Sequence, residues 1–162
     1  MPDLTVKKIT DTAFLGLITD WMYSWWGEEE GYSREAVRVC MAHSLNENGL
    51  PQTFGLFSGE ELIGMFQFTY SDLFVRPDIY PWLANVYIDP RFRGRGHGRK
   101  LLLSVPDRAL AAGLDELNLF TETKGLYEKF GWRFMGEFDS FLKPRMRRLY
   151  KLELKTRADP KD

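Results

Sequence analysis

The sequence predicts a mixed α/β fold, a mostly antiparallel sheet of six to seven strands flanked by about four helices. Three observations carry this expectation. Short segments with strand character alternate with amphipathic stretches of helical period along the chain, with no repeat, linker or low-complexity block between them. Two strand-like segments, Trp82 to Ile88 and Glu116 to Thr121, are separated by one helix, which makes a crossover unit and hence a parallel pair. Between that first strand and the helix lies a turn dense in glycine and arginine, running from Asp89 to Gly98.

Taken in order, Leu4 to Ile9 is the first strand. Asp11 or Thr12 caps a helix whose Phe14, Leu17, Ile18, Trp21, Met22 and Trp25 share one stripe. Gly27 to Gly31 breaks it. Ser33 then caps a second helix presenting Val37, Cys40, Met41, Ser44 and Leu45 on one side, so that Cys40 reads as a small buried residue and not as a nucleophile. Thr53 to Ser58 and Leu62 to Tyr70 form a hairpin across Ser58-Gly59-Glu60-Glu61. Asp72 to Pro81 is an ordered loop leading into the strand Trp82 to Ile88. Gly96 to Ala112 is a helix offering Leu102, Val105, Ala109 and Leu110 to the core, bent at Pro106 and ended by Gly113. Glu116 to Thr121 is a strand and Lys124 to Phe130 a short helix stopped by Gly131. Trp132 to Phe141 and Arg147 to Leu154 are the last strands. Residues 1–155 read as one domain and 156–162 as a frayed tail.

A chain of 162 residues with 44% hydrophobic content buries a full core in one domain. A formal net charge of -1 argues against a general nucleic-acid binder. The single cysteine forms no internal disulfide, and the two histidines, His43 and His97, make no cluster of metal-ligand spacing, so no metal is expected. No apolar run approaches the roughly 20 residues that span a bilayer, and the first residues lack a signal-peptide core. The expectation is a soluble, cytoplasmic protein with no membrane partner.

Against that neutral background, Arg91, Arg93, Arg95, Arg99 and Lys100 concentrate positive charge around Gly94, Gly96 and Gly98. Glycines let a ligand approach the backbone, and the helix that follows offers unpaired N–H groups and the positive end of its dipole. The turn is therefore a cradle for an anion, most simply a phosphate. It is neither of two familiar phosphate loops: a dinucleotide fingerprint or a Walker A loop needs glycine where Arg99 stands. The pattern Arg/Gln-x-x-Gly-x-Gly/Ala, carried by Arg93, Gly96 and Gly98 after a strand ending in Asp89-Pro90, resembles that of the GNAT superfamily of N-acetyltransferases. A second box, Gly125-Leu126-Tyr127-Glu128-Lys129-Phe130-Gly131-Trp132, is similar to the family's Leu-Tyr-x-Lys-x-Gly-Phe, with Trp132 in place of Phe. The element order also matches, over nearly the whole chain.

The resemblance implies the GNAT fold, with its parallel pair splayed at the cofactor site. It implies acetyl-CoA as co-substrate, its pyrophosphate on Arg93, Gly94, Arg95, Gly96, His97, Gly98 and Arg99. It also implies pantetheine pairing with the backbone of Val86, Tyr87 and Ile88, one of whose N–H groups is available to an oxyanion; Val86 and Ile88 are equally readable as ordinary core residues. Tyr127 matches the tyrosine that hydrogen-bonds the leaving thiolate, and a phenol suits that work with an unperturbed pKa of about 10. Many relatives carry a glutamate on the fourth strand. Here Ala84 and Asn85 stand at that place, which leaves Asp78, Tyr80, a water chain or an already neutral amine as alternatives. Trp25, Trp26, Glu28, Glu29, Glu30, Tyr32, Asp72, Asp78, Tyr80, Trp82 and Asp139 are candidates for an acidic, aromatic acceptor mouth, or for a solvated helix end plus core tryptophans. The expected activity is acetyl transfer to a primary amine, of a small molecule before a peptide or protein, with a homodimer left open. A CoA-binding regulatory domain without turnover and a nucleic-acid-binding loop protein are the rivals.

Overall fold

The computed structural model describes residues 2–73, 75–139 and 146–154; the expected tail and the strand end at Phe141 lie outside them. Seven strands, β1 (Leu4–Ile9), β2 (Gln52–Ser58), β3 (Glu61–Thr69), β4 (Trp82–Ile88), β5 (Glu116–Thr121), β6 (Arg133–Asp139) and β7 (Met146–Glu153), accompany three α-helices among the described residues, α1 (Leu15–Met22), α2 (Arg34–Ala42) and α3 (His97–Ala111). The strands hydrogen-bond in the order β1-β2-β3-β4-β5-β7-β6. β4 and β5 run parallel, as the crossover requires, paired through Trp82↔Asn118, while β1–β2, β2–β3, β5–β7 and β6–β7 are antiparallel. The expected fourth helix, Lys124 to Phe130, is a single 3-10 turn, Tyr127–Phe130, confined between Gly125 and Gly131, both at positive φ.

The chain forms two compact units. The first comprises Met1–Phe68 and Asn85–Leu101. Its β1–β2 ladder runs from Leu4↔Ser58 to Ile9↔Thr53, and β2–β3 closes at Ser58↔Glu61 around the two-residue turn Gly59-Glu60. Leu15, Ile18, Trp21 and Met22 of α1 and Val37 and Met41 of α2 pack with Ile9, Phe57, Leu62, Met65 and Tyr87. A fully buried large apolar side chain contributes roughly 1.5–3 kcal/mol, so this cluster holds the helices against the strands. Phe54, Phe66 and Phe68 form a separate aromatic group with centroids 5.0–5.3 Å apart.

Two expectations in this unit are corrected. α1 stops at Met22 and widens into a π turn, Tyr23–Gly27, where the Glu28 N–H donates to the Tyr23 carbonyl at 2.9 Å. A π turn holds more residues than an α turn, so the apolar stripe slips by one position. Trp26 continues the packed side and Trp25 emerges 47% exposed. Cys40 is likewise exposed, not buried, because it lies on the flank of a stripe centred on Val37, Met41 and Ser44. The Ser33 cap is as expected, its Oγ accepting from the Ala36 N–H at 3.0 Å.

The second unit comprises Thr69–Ala84 and Leu102–Asp162. β5 pairs with β7 from Glu116↔Glu153 to Thr121↔Arg148, and β6 joins the other edge of β7 with a register shift between Phe134 and Gly136. Trp82 is fully buried, edge-on to Phe120 at 6.0 Å, and its indole N–H donates to the Ile79 carbonyl at 2.7 Å. Leu110, expected in the core, is 43% exposed because the buried stripe of α3 runs through Leu101, Leu102, Val105 and Ala109.

Candidate functional site

The cradle is built from the end of β4 onward. Asp89 is buried, and its Oδ1 accepts from the Arg91 N–H at 2.9 Å, which caps the 3-10 turn Pro90–Phe92. The Arg91 guanidinium pairs with the same carboxylate at 2.9 Å. That side-chain hydrogen bond is the largest cause holding the Asp89 carboxyl below the usual aspartate range. Arg93 folds back, its Nε donating to the Ile88 carbonyl at 2.8 Å and its guanidinium lying 5.1 Å from the centre of the Tyr87 ring. Trp21 and Trp25 pack on that ring too, each at 5.4 Å, so Tyr87 is gripped by two indoles and a cation.

Beyond Arg93 the chain turns through Gly94 at φ 75 and Gly96 at φ 80, a left-handed region that disfavours any residue with a Cβ. It enters α3 at His97, and the leading amides of His97 and Gly98 have no carbonyl partner inside the helix. Val86, Tyr87, Ile88, Arg93, Gly94, Gly96, His97 and Gly98 line one cavity of about 360 Å³, together with Phe92 and Trp25. The structure thus gathers eight of the ten expected cofactor-binding residues; Arg95 and Arg99, both exposed, do not line the cavity. A phosphate-bearing cofactor fits on a direct geometric test, since a Cβ built on Gly94, Gly96 or Gly98 would meet no protein atom within 4 Å. The backbone there is open to a ligand.

Trp25, read from the sequence both as a member of the α1 stripe and as a candidate for the acceptor mouth, enters the cavity wall through the π turn. One feature escaped the sequence reading. Asn85 sits at φ 53 in the middle of β4. An amide-bearing residue inside an apolar strand was the available signal, because asparagine tolerates the left-handed region.

The second unit holds the remaining candidates. Tyr127 lies beside Tyr150, their rings 6.0 Å apart, and edge-on to Trp132 at 6.2 Å. Burial pushes its hydroxyl up to about 12, above the value near 10 taken from the sequence. The turn that carries it is pinned by its neighbour: the Tyr150 hydroxyl donates to Glu128 Oε1 at 2.6 Å, and Arg148 Nε donates to that hydroxyl at 2.9 Å. Asp78 is exposed and held bidentately by Arg76, at 2.9 and 2.8 Å, a hydrogen-bonded pairing that lowers its proton affinity. Tyr80 is 59% exposed and lines a smaller cavity of about 290 Å³ with Tyr70, Ser71, Pro77 and Ile79. Of the expected acceptor mouth, Trp82 belongs to the core, while Glu28, Glu29, Glu30, Tyr32 and Asp139 are exposed. Among the described residues, no group of three or more His, Cys, Asp and Glu side chains is placed to hold a metal, and no helix is long and apolar enough to cross a membrane.

Residues 17–132 match the acetyltransferase (GNAT) family, and the chain belongs to that family. It is accordingly an acetyl-CoA-dependent acyltransferase by class, with the mixed, open-sheet GNAT fold. An aminoglycoside 6'-N-acetyltransferase complexed with coenzyme A is 13% identical, with a TM-score of 0.74 over 96% of this chain and 99% of that one. YncA of Salmonella typhimurium, a putative acetyltransferase solved with acetyl-CoA, is 18% identical, with a TM-score of 0.72 over 98% of each chain. An acetyltransferase of the same organism that modifies the N-terminal serine of a 50S ribosomal subunit protein is 12% identical, with a TM-score of 0.69 over 94% of this chain and 95% of that one. No curated protein matches.

Proposed function

We propose that this protein transfers the acetyl group of acetyl-CoA to the primary amine of a small molecule by direct attack, with no covalent enzyme intermediate. The observation that carries the proposal is the cradle: glycine backbone with open space beside it, at a helix start, next to the β4 residues Val86 to Ile88 and walling the same cavity. Acetyl-CoA bound there supplies an acyl group already activated as a thioester. The chain's own residues do the rest. The amides from Gly94 to Gly98 hold the anionic diphosphate, with Arg95 and Arg99 adding positive field. The backbone of Val86, Tyr87 and Ile88 pairs with the amides of the pantetheine arm, and an N–H of that stretch hydrogen-bonds the carbonyl oxygen as it gains charge. Tyr127, which keeps its proton far above neutral pH, donates a hydrogen bond to the departing thiolate.

Asp78 would have to leave its Arg76 pair to act as a base. We therefore assign it no proton transfer: the amine attacks in its neutral form, and the proton its nitrogen sheds to water as the C–N bond forms balances the one the departing thiol takes up through Tyr127 as the C–S bond breaks. Exposed Glu28, Glu29 and Glu30 beside Trp25 favour a cationic acceptor in solution. The test is Gly98→Val, assayed with acetyl-CoA titration and with release of free CoA over polyamines, amino acids, aminoglycosides and peptide N-termini. Gly98 is not at positive φ and its Cβ direction is empty, so the fold survives while the side chain fills the phosphate site. Affinity should fall by about 100-fold, the scale of a lost set of charge-assisted hydrogen bonds; an unchanged dissociation constant refutes the cradle. Binding without CoA release with any amine would establish the second reading, a CoA-binding regulatory domain, which the presence of Asn85 in place of a strand carboxylate favours.

A further inference from the structure

Gln67 is an amide buried to 1% exposure on β3, with Phe66 and Phe68 as chain neighbours. Its Oε1 accepts from Asn85 Nδ2 at 2.7 Å, and its Nε2 donates to Thr53 Oγ1 at 2.9 Å, with Met41 Sδ at 3.5 Å. Thr53 Oγ1 donates in turn to the Ser44 carbonyl at 2.8 Å, just past the end of α2. Each donor points the same way, from β4 through β3 and β2. A directional chain of this kind strengthens its own links, and a buried member left without its partner is costly. At the β4 end stands Asn85, the one non-glycine residue at positive φ among the described residues. Its left-handed backbone immediately precedes Val86, Tyr87 and Ile88, three residues of the cavity wall.

We infer that the relay Asn85–Gln67–Thr53–Ser44 is a positioning device: by clamping the Asn85 side chain it holds that residue left-handed, and so sets the direction of the peptide groups from Val86 to Ile88 that meet the acyl donor. Gln67 and Thr53 do not line the cavity and act through Asn85. The functional half of this inference rests on the reading of the site given above; the backbone half does not.

The experiment uses the full chain and two readouts: amide resonances of Val86, Tyr87 and Ile88 without ligand, and acetyl-CoA affinity. Gln67→Leu should shift those resonances and weaken acetyl-CoA by about tenfold, the loss of one well-placed hydrogen bond to the bound state. Asn85→Gly, which enters the left-handed region without help, should lose only about threefold, half a decade or less. The double variant should be no weaker than Asn85→Gly alone, because the side chain that Gln67 clamps is gone, whereas a merely structural Gln67 would give additive losses. Unmoved resonances in Gln67→Leu, or additivity, would overturn the relay. If Gln67→Leu does not fold, Asn85→Ala takes its place: it removes only the Asn85–Gln67 link and keeps those from Gln67 to Thr53 and from Thr53 to Ser44, and it should move the same resonances while Asn85→Gly does so less. Should the wild-type protein bind no acetyl-CoA, the reading of the site fails, and the resonances still decide the relay.

Discussion

Trp82, Leu83 and Ala84, the first half of β4, are at most 4% exposed, whereas in the second half Asn85, Val86 and Ile88 are only half-buried and Tyr87 is the sole buried residue. The first half carries the recorded pairing with β5, and its tryptophan has spent its one polar hydrogen on Ile79. The second half opens with a left-handed residue and ends under the arginine turn. Composition does not separate the two, since both are largely apolar. What separates them in the structure is burial and the conformation of one residue between them, Asn85 at φ 53. A strand can thus be core at one end and line a cavity at the other without changing its apolar pattern.

The largest expected effect tests the first half. Trp82→Ala should cost about 3–5 kcal/mol of stability through lost burial and a cavity, read as a drop in the chemical-denaturation midpoint. A loss under 1 kcal/mol would mean that this end is not the core element the burial implies. Next comes the chemistry carried in the same unit. Tyr127→Phe should lower kcat by about 100-fold, the lower range for a proton donor, while acetyl-CoA affinity changes by less than about twofold. Because burial holds the hydroxyl up at about 12, its ionisation does not enter the ordinary range. The rate should rise with pH through the ionisation of the amine and show no alkaline fall up to about pH 10. Equal rates for the two proteins, or a fall tracking Tyr127 near neutral pH, would remove it from the mechanism.

The contrast within β4 also explains what was legible in the sequence. Strand bounds at Leu4, Trp82 and Glu116 follow from alternation and punctuation, which are local, and they match the structure. The glycine turn was legible for the same reason: its shape depends on the backbone of Gly94 and Gly96, both at positive φ. Trp25 was misplaced because periodicity assumes a fixed number of residues per turn, and the π turn at Tyr23–Gly27 changes it; Cys40 was misplaced because it flanks the stripe of α2 centred on Val37 and Met41. Gln67 was read as one position in a strand, because its partners Thr53 and Asn85 are distant in sequence and adjacent only after β2, β3 and β4 assemble.

Gly64 sharpens the second half of the comparison. A Cβ there would stand 2.8 Å from the Tyr87 carbonyl oxygen and 2.7 Å from Ile88 Cδ1. The first neighbour is backbone and cannot swing aside, so Gly64→Ala must push β4 where the cavity wall begins. Overpacking of this kind costs about 1–3 kcal/mol. The same shift should weaken acetyl-CoA, whereas Gly16→Ala, with nothing near its Cβ, should leave affinity unchanged and cost no stability. Loss of stability with full retention of affinity would mean that this stretch of β4 is not what positions the ligand.

The smallest effect concerns the joint where β4 becomes the cradle. The Arg91 guanidinium, then the Arg91 N–H, hold the Asp89 carboxyl below its ordinary range, against the opposing pull of desolvation. A carboxyl with a depressed folded-state pKa stabilises the fold above its unfolded-state value, near 3.9, and that contribution is lost as pH falls through the folded-state value. The effect is modest because the guanidinium is 67% exposed and screened by solvent. Asp89→Asn keeps an acceptor for the cap but loses the charge, so at pH 7 it should melt roughly 2–4 °C below the wild-type protein, the shift for about 1 kcal/mol in a chain of this size. Between pH 5 and pH 2, a range set by the unfolded-state value and the direction of the shift, the gap should close as the wild-type carboxyl is protonated. Melting scans of the two proteins across that range decide it: no gap at pH 7, or a gap that does not close as pH falls, would show that the ion pair adds nothing to the stability of the joint.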